Sequence, residues 1–429
     1  MMRARLVALT FLVASPALAQ LPPWTDPNDV PLPLATRSVV PTRAESAIYS
    51  EPDGRSSRRG SAMPGARYPL YGSQRAPGCL GRWFNVGPLA WMCSDVAETS
   101  LEEPFTPPLG TRPWLVPARP GAAPLASVEP GSGTDDGLPY RYYFAGRDGT
   151  YGYASLQHAG EDAPDQDLEP GFAVAILEEQ VAHGERWGRT KKGRWVPMKD
   201  LVAARPNLFH GELLDGALDL AWVNIERANV YATEKLDKPT GTRVRFEKLK
   251  IAEEKGAALR LADGGWMKAR DLARTRAAEP PPEAGPTERW IDVDLNQQVL
   301  VAYEGAKPVF ATIVSSGKGA KGSGFETHTG TFRIWVKLFT TKMDNLDKDD
   351  VDRHYAIEDV PWVQFFDKAI ALHGAFWHQA FGHVHSHGCV NMAPLDARWL
   401  FAFTSPHLPA GWSAVLPTKL EQGAIVRVR

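Results

Sequence analysis

The sequence predicts a mainly β, multidomain protein, and three observations support this fold class. Short runs of β-branched and aromatic residues lie between Gly or Pro turns, as at residues 47–49, 174–177 and 228–231, which is typical of small antiparallel sheets. With 429 residues, of which 43% are hydrophobic, the chain is long enough for about three domains. Prolines and glycines concentrate in segments that we interpret as linkers, namely residues 21–34, 104–139 and 279–286. Because proline favours extended spacers, we expect the C-terminal part to be held away from the rest.

The first 19 residues have the layout of a secretory signal peptide. A basic start is followed by an apolar run at residues 6–13, and small residues at 17–19 occupy the cleavage positions. A membrane anchor is the alternative, but the run is short and Pro16 interrupts it. We therefore predict cleavage after Ala19 and export to the periplasm or cell envelope, with no transmembrane segment in the mature chain.

The charge balance and the cysteine count set further limits. With 48 basic and 50 acidic residues, the chain has no net field that would indicate a nucleic-acid partner. The chain has three cysteines, so at least one of them cannot form a disulfide within the chain. Cys79 and Cys93 are close enough in sequence to close a loop within one small domain, two free thiols being the alternative. A disulfide there would leave Cys389 as the unpaired thiol.

A tryptophan pattern repeats weakly in the N-terminal two-thirds. Two segments, at residues 81–96 and 185–201, each contain two tryptophans separated by seven residues, and residues 264–272 repeat the second half of the pattern. Short strands at this spacing predict small antiparallel barrels of about 60 residues. The pattern resembles bacterial SH3-like domains, which implies up to three such barrels that bind cell wall or peptide. Alternatively, the tryptophans fill the barrel cores.

A motif near the C-terminus carries the chemistry. His373-Gly374 is followed by the string Ser386-His387-Gly388-Cys389-Val390-Asn391. Cysteine is the most nucleophilic side chain near neutral pH, and a neighbouring imidazole raises its thiolate fraction. The motif therefore indicates acyl transfer through a thioester, the alternative being a buried structural thiol.

The C-terminal third resembles the L,D-transpeptidase catalytic domain of the YkuD type, over about residues 288–417. The motif around Cys389 carries the resemblance, together with a hairpin pattern and two strand-like segments, at residues 290–303, 309–317 and 327–334. The resemblance implies a β-sandwich with a short helix or two. His328 stands where the family most often has proline, and Asn391 where many members have arginine.

The resemblance also implies roles for individual residues. Cys389 would be the nucleophile and His373 its base, oriented by the backbone carbonyl of Gly374. Gly388 would leave room for backbone N–H groups that face an oxyanion, and His387 would complete the catalytic motif. Met343 and Tyr355 flank a polar insertion at the position where the family carries a substrate-covering lid. The predicted substrate-binding residues are Ser386, Asn391, Met343, Tyr355 and Trp377.

A metal site is a second interpretation of the same region. His383, His385 and His387 alternate, so on a strand they would share a face and could ligate zinc. No acidic ligand or second cysteine accompanies them, and the motif around Cys389 is explained without metal. We therefore predict no metal and no cofactor.

We interpret the chain as an exported peptidoglycan L,D-transpeptidase that forms 3→3 cross-links between stem peptides through an acyl-enzyme. Alternatives on the same fold are an L,D-carboxypeptidase, or an enzyme that attaches or releases an envelope protein. A cell-wall-binding scaffold with an inactive site is an alternative from another class. A papain-like endopeptidase is disfavoured because its cysteine normally precedes its histidine.

The sequence also predicts the domain boundaries. We expect a signal peptide at residues 1–19, SH3-like barrels at 41–98, 140–205 and 215–277, and the catalytic domain at 288–429. Linkers are predicted at residues 20–40, 99–139 and 278–287.

Overall fold

The structure is a computed structural model that describes residues 35–110, 135–319, 322–346 and 354–429. Over these residues the chain consists mainly of β-strands, with two α-helices, α1 (Leu156–Gly160) and α2 (Pro394–Phe403). The predicted mainly β, multidomain class is thus confirmed. The predicted signal peptide and most of the linkers at 20–40 and 99–139 lie outside the described residues. Within the described ranges, no helix is long and apolar enough to cross a membrane.

The first module encloses the two N-terminal cysteines. Its strands are β1 (Ser38–Pro41), β2 (Ala47–Tyr49), β3 (Arg58–Ala62), β4 (Tyr68–Pro69), β5 (Gly72–Gln74), β6 (Trp83–Gly87), β7 (Ala90–Cys93) and β8 (Ala97–Ser100). The sulfurs of Cys79 and Cys93 are bonded to each other. Trp83 and Trp91 are buried against this disulfide, so both rings fill the interior of the module.

The second and third modules share a local structure over the segments that the sequence repeat relates. In each, a tryptophan-containing strand is followed by a 3₁₀ turn, Met198–Asp200 or Ala269–Asp271, and then by a final strand. The second module contains β9 (Arg141–Ala145), β10 (Thr150–Gly152), β11 (Gln166–Leu168), β12 (Ala173–Ala182), β13 (Glu185–Thr190), β14 (Trp195–Pro197) and β15 (Leu201–Ala203). After the connecting strand β16 (Glu212–Leu213), the third contains β17 (Leu220–Val223), β18 (Arg227–Tyr231), β19 (Pro239–Val244), β20 (Lys248–Lys255), β21 (Ala258–Leu261), β22 (Trp266–Lys268) and β23 (Leu272–Arg274). An SH3-like class for these modules stays a prediction.

The C-terminal domain contains two packed sheets, consistent with the predicted β-sandwich. Its strands are β24 (Arg289–Asp294), β25 (Val299–Glu304), β26 (Lys307–Ile313), β27 (Gly330–Arg333), β28 (Val336–Asp344), β29 (Ala356–Asp367), β30 (Ile370–Gly374), β31 (Val390–Met392), β32 (Trp412–Val415) and β33 (Ile425–Val428). One sheet has the order β16-β26-β25-β24-β33-β27, and the other is built on the long β28–β29 hairpin, with β30 and β31 beside it. Buried side chains from both sheets, such as Leu300 and Leu372, form one core.

Helix α2 lies against the strands that carry the candidate site. Proline is suited to its first turn, because an N–H group there has no partner within the helix. At its other end the fully buried Lys337 donates from Nζ to the carbonyls of Phe401 (2.5 Å) and Thr404 (2.8 Å). Such carbonyls lack partners within a helix. The lysine therefore satisfies the C-terminal end of α2 inside the core.

The N-terminal modules are joined to the C-terminal domain through continuous sheet. Strand β3 of the first module pairs with β32, with Gly60 opposite Val415, and β12 of the second module pairs with β29. Lys191 adds an ion pair to Asp359 at 2.5 Å. The expectation that proline-rich spacers hold the C-terminal part away is therefore wrong. Strand edges carry unpaired backbone groups, and here those groups pair across the module boundaries.

The substitution Gly60→Ala tests the joint between the first module and the C-terminal domain. A β-carbon at Gly60 would lie 2.1 Å from the carbonyl oxygen of Ala414, so the two strands could not stay paired without shifting. We expect the free energy of unfolding to fall by about 1–3 kcal/mol, which would be measured as a lower thermal unfolding midpoint. Gly241→Ala is the control, because a β-carbon there meets no atom within 4 Å. Equal losses in both variants would contradict the role given to this pairing.

Candidate active site

Two parallel strands bring together the thiol and the imidazole of the sequence motif. Strands β30 and β31 pair in parallel, with His373 opposite Asn391. Residues opposite each other on paired strands project to the same face of the sheet. Cys389 directly precedes β31, and its Sγ lies 3.8 Å from the carbonyl oxygen of Ala369, just before β30. The pairing of strands that are distant in sequence therefore assembles the site.

His373 is buried and held by main chain and by an aromatic ring. Only 1% of its surface is exposed, and Nδ1 lies 3.2 Å from the carbonyl oxygen of Gly374. A carbonyl can only accept, so Nδ1 carries the proton and Nε2 keeps its lone pair. Trp377 stacks on the imidazole, with ring centroids 5.7 Å apart. Burial lowers the pKa of His373 to about 4, so the ring is a neutral base at neutral pH.

The thiol of Cys389 is also neutral in the ligand-free site. Desolvation raises the pKa of Cys389 to about 11. Burial thus acts in opposite directions on the two groups, since it disfavours the charged form of each. Within the described residues no hydrogen bond joins Sγ to the His373 ring. This geometry suits a general base that takes the thiol proton when substrate closes the site, because catalytic hydrogen bonds are often long in free enzymes.

The loop before Cys389 is shaped by a glycine and two hydroxyl groups. Gly388 has φ +125°, a backbone conformation that residues other than glycine rarely adopt. Its N–H donates to Oγ of Ser386 at 3.1 Å, and Ser386 in turn donates to the carbonyl of Cys389. Thr327 donates to the carbonyl of Gly388 at 2.6 Å. The hydroxyl of Ser386 therefore supports the loop that presents the thiol.

Aromatic rings surround His387, the residue between Ser386 and Gly388. The ring of Tyr355 stacks on it, with centroids 5.8 Å apart and planes 7° from parallel, and Phe325 approaches it edge-on at 5.0 Å. Burial, and next the proximity of Cys389, raise the pKa of Tyr355. The charged form of Tyr355 is therefore sensitive to the charge on Cys389. Met343, on the same β28–β29 hairpin, is partly buried against the domain core.

Asn391 is buried in contact with a second histidine. Its side-chain amide lies 2.8 Å from Nε2 of His378, and only 3% of Asn391 is exposed. Its backbone N–H and carbonyl pair with Ser315 at 2.8 and 2.9 Å. The residue is thus tied to the strand segment that follows β26.

The histidines of the metal interpretation do not converge on one point. Nε2 of His383 lies 2.6 Å from the carbonyl oxygen of Asn224 in the third module. His385 packs on His378 with ring centroids 4.4 Å apart, while His387 packs on Tyr355 and Phe325. In the described part of the chain, the one group of three or more His, Cys, Asp or Glu donors close enough to share an ion is Cys79, Cys93 and Asp95, where both cysteines form the disulfide. The donors present do not fit a zinc site at the motif.

Two residues near the site were missed by the sequence analysis. Oγ of Ser315 lies within hydrogen-bond distance of the carbonyls of Ala380 (2.8 Å) and His383 (2.6 Å). Ser315 lies in the segment at residues 309–317 that belongs to the family resemblance, so that segment was an available signal. Arg245, in the third module, also contacts this loop, but it lies more than 130 positions away, and no local pattern indicates such a contact.

Comparison with known proteins assigns the C-terminal domain. Residues 288–420 match the family model of the L,D-transpeptidase catalytic domain, YkuD. The search of curated proteins found no match.

The chain is also similar to solved L,D-transpeptidase structures. The one from Stackebrandtia nassauensis is 25% identical over 36% of this chain and 58% of that chain, with a TM-score of 0.24. A mutant of the Enterococcus faecium enzyme is 22% identical over 33% and 50%, with a TM-score of 0.25. One from Mycobacterium tuberculosis is 15% identical over 50% and 80%, with a TM-score of 0.24. The chain thus spans little more than half of the length of the first two.

The family model begins just before β24 and includes both His373 on β30 and Cys389, which precedes β31. Residues 288–420 are therefore similar to the YkuD family of L,D-transpeptidase catalytic domains.

Proposed function

We propose that this chain is an exported peptidoglycan L,D-transpeptidase that forms 3→3 cross-links through a thioester on Cys389. The observation that carries the proposal is the parallel pairing of β30 and β31, which sets a buried, neutral His373 next to the strand that Cys389 precedes. The partner is the stem peptide of peptidoglycan. No cofactor is needed, because the reaction uses only a nucleophile, a base and oxyanion donors.

In the acylation half, Sγ of Cys389 attacks the carbonyl carbon between the L-centre and the terminal D-residue. Nε2 of His373 accepts the thiol proton, and backbone N–H groups near Cys389 stabilise the oxyanion. The tetrahedral intermediate collapses as the C–N bond breaks. His373 returns the proton to the departing amine, so D-alanine leaves and a thioester remains.

In the second half, an amine from another stem attacks the thioester carbonyl. His373 takes the proton of the attacking amine, the C–S bond breaks, and the thiol of Cys389 is regenerated with that proton. The orientation of His373 matters in both halves. The carbonyl of Gly374 at 3.2 Å keeps the Nδ1-protonated tautomer, which leaves Nε2 available for the proton transfers.

The remaining predicted site residues are assigned by their positions. Tyr355 stacks on His387, two residues before Cys389, and this aromatic pair suits contact with a substrate peptide. Trp377 packs on the base, and Ser386 supports the Gly388 loop. We assign Met343, on the β28–β29 hairpin, to substrate contact at the edge of the cleft.

Export is supported by two independent features. The basic, apolar and small-residue segments of the first 19 residues are those of a signal peptide. The disulfide between Cys79 and Cys93 is of the kind that forms in oxidising compartments. Together with a peptidoglycan substrate, these features favour the periplasm or cell envelope.

Replacing the nucleophile tests the reaction itself. We expect Cys389→Ala to abolish formation of dimeric muropeptides from purified stem-peptide substrates, because no other free cysteine is present in the chain. Mass spectrometry of the products measures this and also identifies the acceptor. Shortened monomers would indicate an L,D-carboxypeptidase, and a conjugate with an added protein would indicate envelope-protein attachment. A wild-type chain that produces none of these would favour the wall-binding scaffold.

Replacing the base tests the role of His373. General-base assistance contributes about 100- to 10,000-fold, so His373→Ala should slow the acylation of Cys389 by a carbapenem by a factor in that range. Mass spectrometry of the adduct over time gives the rate. His328→Ala is the control, because His328 is also a histidine of this domain but is half-exposed and paired with the carboxylate of Asp367. An unchanged rate in His373→Ala would remove His373 from the mechanism.

The pH dependence of thiol reactivity tests the protonation states. The pKa of Cys389 is raised to about 11 and that of His373 is lowered to about 4, so the thiolate fraction grows only as pH rises well above neutral. We expect the rate of Cys389 alkylation by iodoacetamide in the ligand-free protein to keep rising through alkaline pH. A plateau reached at or below neutral pH would instead indicate a resting thiolate–imidazolium pair.

A further inference from the structure

The third module contacts the catalytic domain at the loop of residues 379–383. The guanidinium of Arg245 donates to the carbonyl oxygens of Gln379 (3.0 Å) and Phe381 (3.2 Å). The same side chain pairs with Glu226 at 3.0 Å within its own module. From the other direction, His383 lies 2.6 Å from the carbonyl oxygen of Asn224. The module therefore binds this loop at both of its ends.

The catalytic domain holds the opposite side of the same loop. Oγ of Ser315 lies within hydrogen-bond distance of the carbonyls of Ala380 and His383. The N–H of Gly382 donates to the carbonyl of Val314 at 2.9 Å. The loop is thus clamped between strand β26 with its extension and the third module, and its backbone conformation depends on contacts from both.

This loop sets the tautomer of His378. The backbone N–H of Ala380 points at Nδ1 of His378 at 3.1 Å, so Nδ1 must carry a lone pair. Burial lowers the pKa of His378 to about 3, so the ring is neutral and its one N–H is on Nε2. The amide nitrogen of Asn391 is placed 2.8 Å from Nε2, but an N–H on Nε2 needs an acceptor there, so we assign the amide in the flipped orientation, with its oxygen toward His378.

Asn391 lies close to both candidate reacting residues in the sheet and in the sequence. Asn391 is the register partner of His373 and lies two residues after Cys389. With its oxygen on His378, its NH₂ group occupies the buried amide position that has no protein partner. A different tautomer of His378 would turn this amide over and replace a donor by an acceptor inside the site.

We propose that the third module is a working part of the active site, in which Arg245 holds the 379–383 loop so that Ala380 fixes the tautomer of His378 and thereby the amide of Asn391. Arg245 and His378 are positioning residues, since neither donates to the reacting atoms. The activity readout of this inference rests on the proposed transpeptidase function. The tautomer readout does not.

The first experiment compares Arg245→Ala with Arg243→Ala in the full chain. Arg243 is the matched control because it is also ion-paired in the third module, to Glu247 and Asp263, which belong to the same module. We expect Arg245→Ala to reduce the rate of carbapenem acylation of Cys389 by about 10- to 100-fold, as a small misplacement of a site does. Arg243→Ala should stay within about twofold of wild type.

Two further variants separate positioning from loss of folding. Glu226→Ala removes the ion pair but leaves the carbonyl contacts of Arg245, so its rate should match that of wild type. If Arg245→Ala does not fold, Arg245→Lys keeps the charge without the planar fork that reaches two carbonyls, and it should still lose rate. His378→Ala combined with the Arg245 variant should be no slower than the slower single variant, because the two residues act in series. Additive losses would overturn the proposal.

The second experiment reads the tautomer without any reaction. ¹⁵N NMR of the histidine rings in the unreacted chain should show His378 protonated on Nε2 in wild type and in Arg243→Ala, and a mixture of tautomers in Arg245→Ala. An unchanged tautomer in the Arg245 variant overturns the inference, and so does an unchanged acylation rate. A wild-type chain that is not acylated at all defeats the proposed function instead, and the tautomer comparison alone then decides the inference.

Discussion

Parallel pairing between β30 and β31 is the constraint on which the site depends. Parallel strands cannot be joined by a tight turn, so the chain between them must cross over, and here it does so through residues 375–389. That crossover contains Trp377, which packs on His373, and the loop that ends at Cys389. The segment that connects the two strands therefore also supplies residues that surround His373 and Cys389.

Burial then decides the chemistry of the two reacting groups. A thiol and an imidazole in water would titrate within a few pH units of each other, but in this site desolvation moves their pKa values apart, to about 11 and about 4. The neutral pair costs less to bury than an ion pair. In the proposed reaction, charge develops only when substrate brings the electrophile, where backbone donors and the Gly374 carbonyl can stabilise it.

The modules before the catalytic domain contribute to its structure. The first and second extend its sheet through β3 and β12, and the connecting strand β16 adds an edge strand to the other sheet. Asp396 of helix α2 accepts from the N–H of Gly211 at 2.8 Å, inside the core. Truncation before β24 would therefore expose strand edges and remove one of the hydrogen bonds to the buried carboxylate of Asp396. The modules and the candidate active site are therefore built on one continuous scaffold.

Local sequence was sufficient to predict the mainly β class, to select Cys389 and His373 as candidates, and to reveal the tryptophan repeat that becomes strand, 3₁₀ turn and strand in two modules. These features depend on alternation, turn residues and short spacings, which act over a few neighbouring positions. The docking of the modules, the direction of each histidine and the contact of Arg245 with the 379–383 loop were decided by tertiary structure. They depend on which strand edges meet and on which carbonyls a distant side chain can reach, and the spacing of residues along the chain carries no information about either.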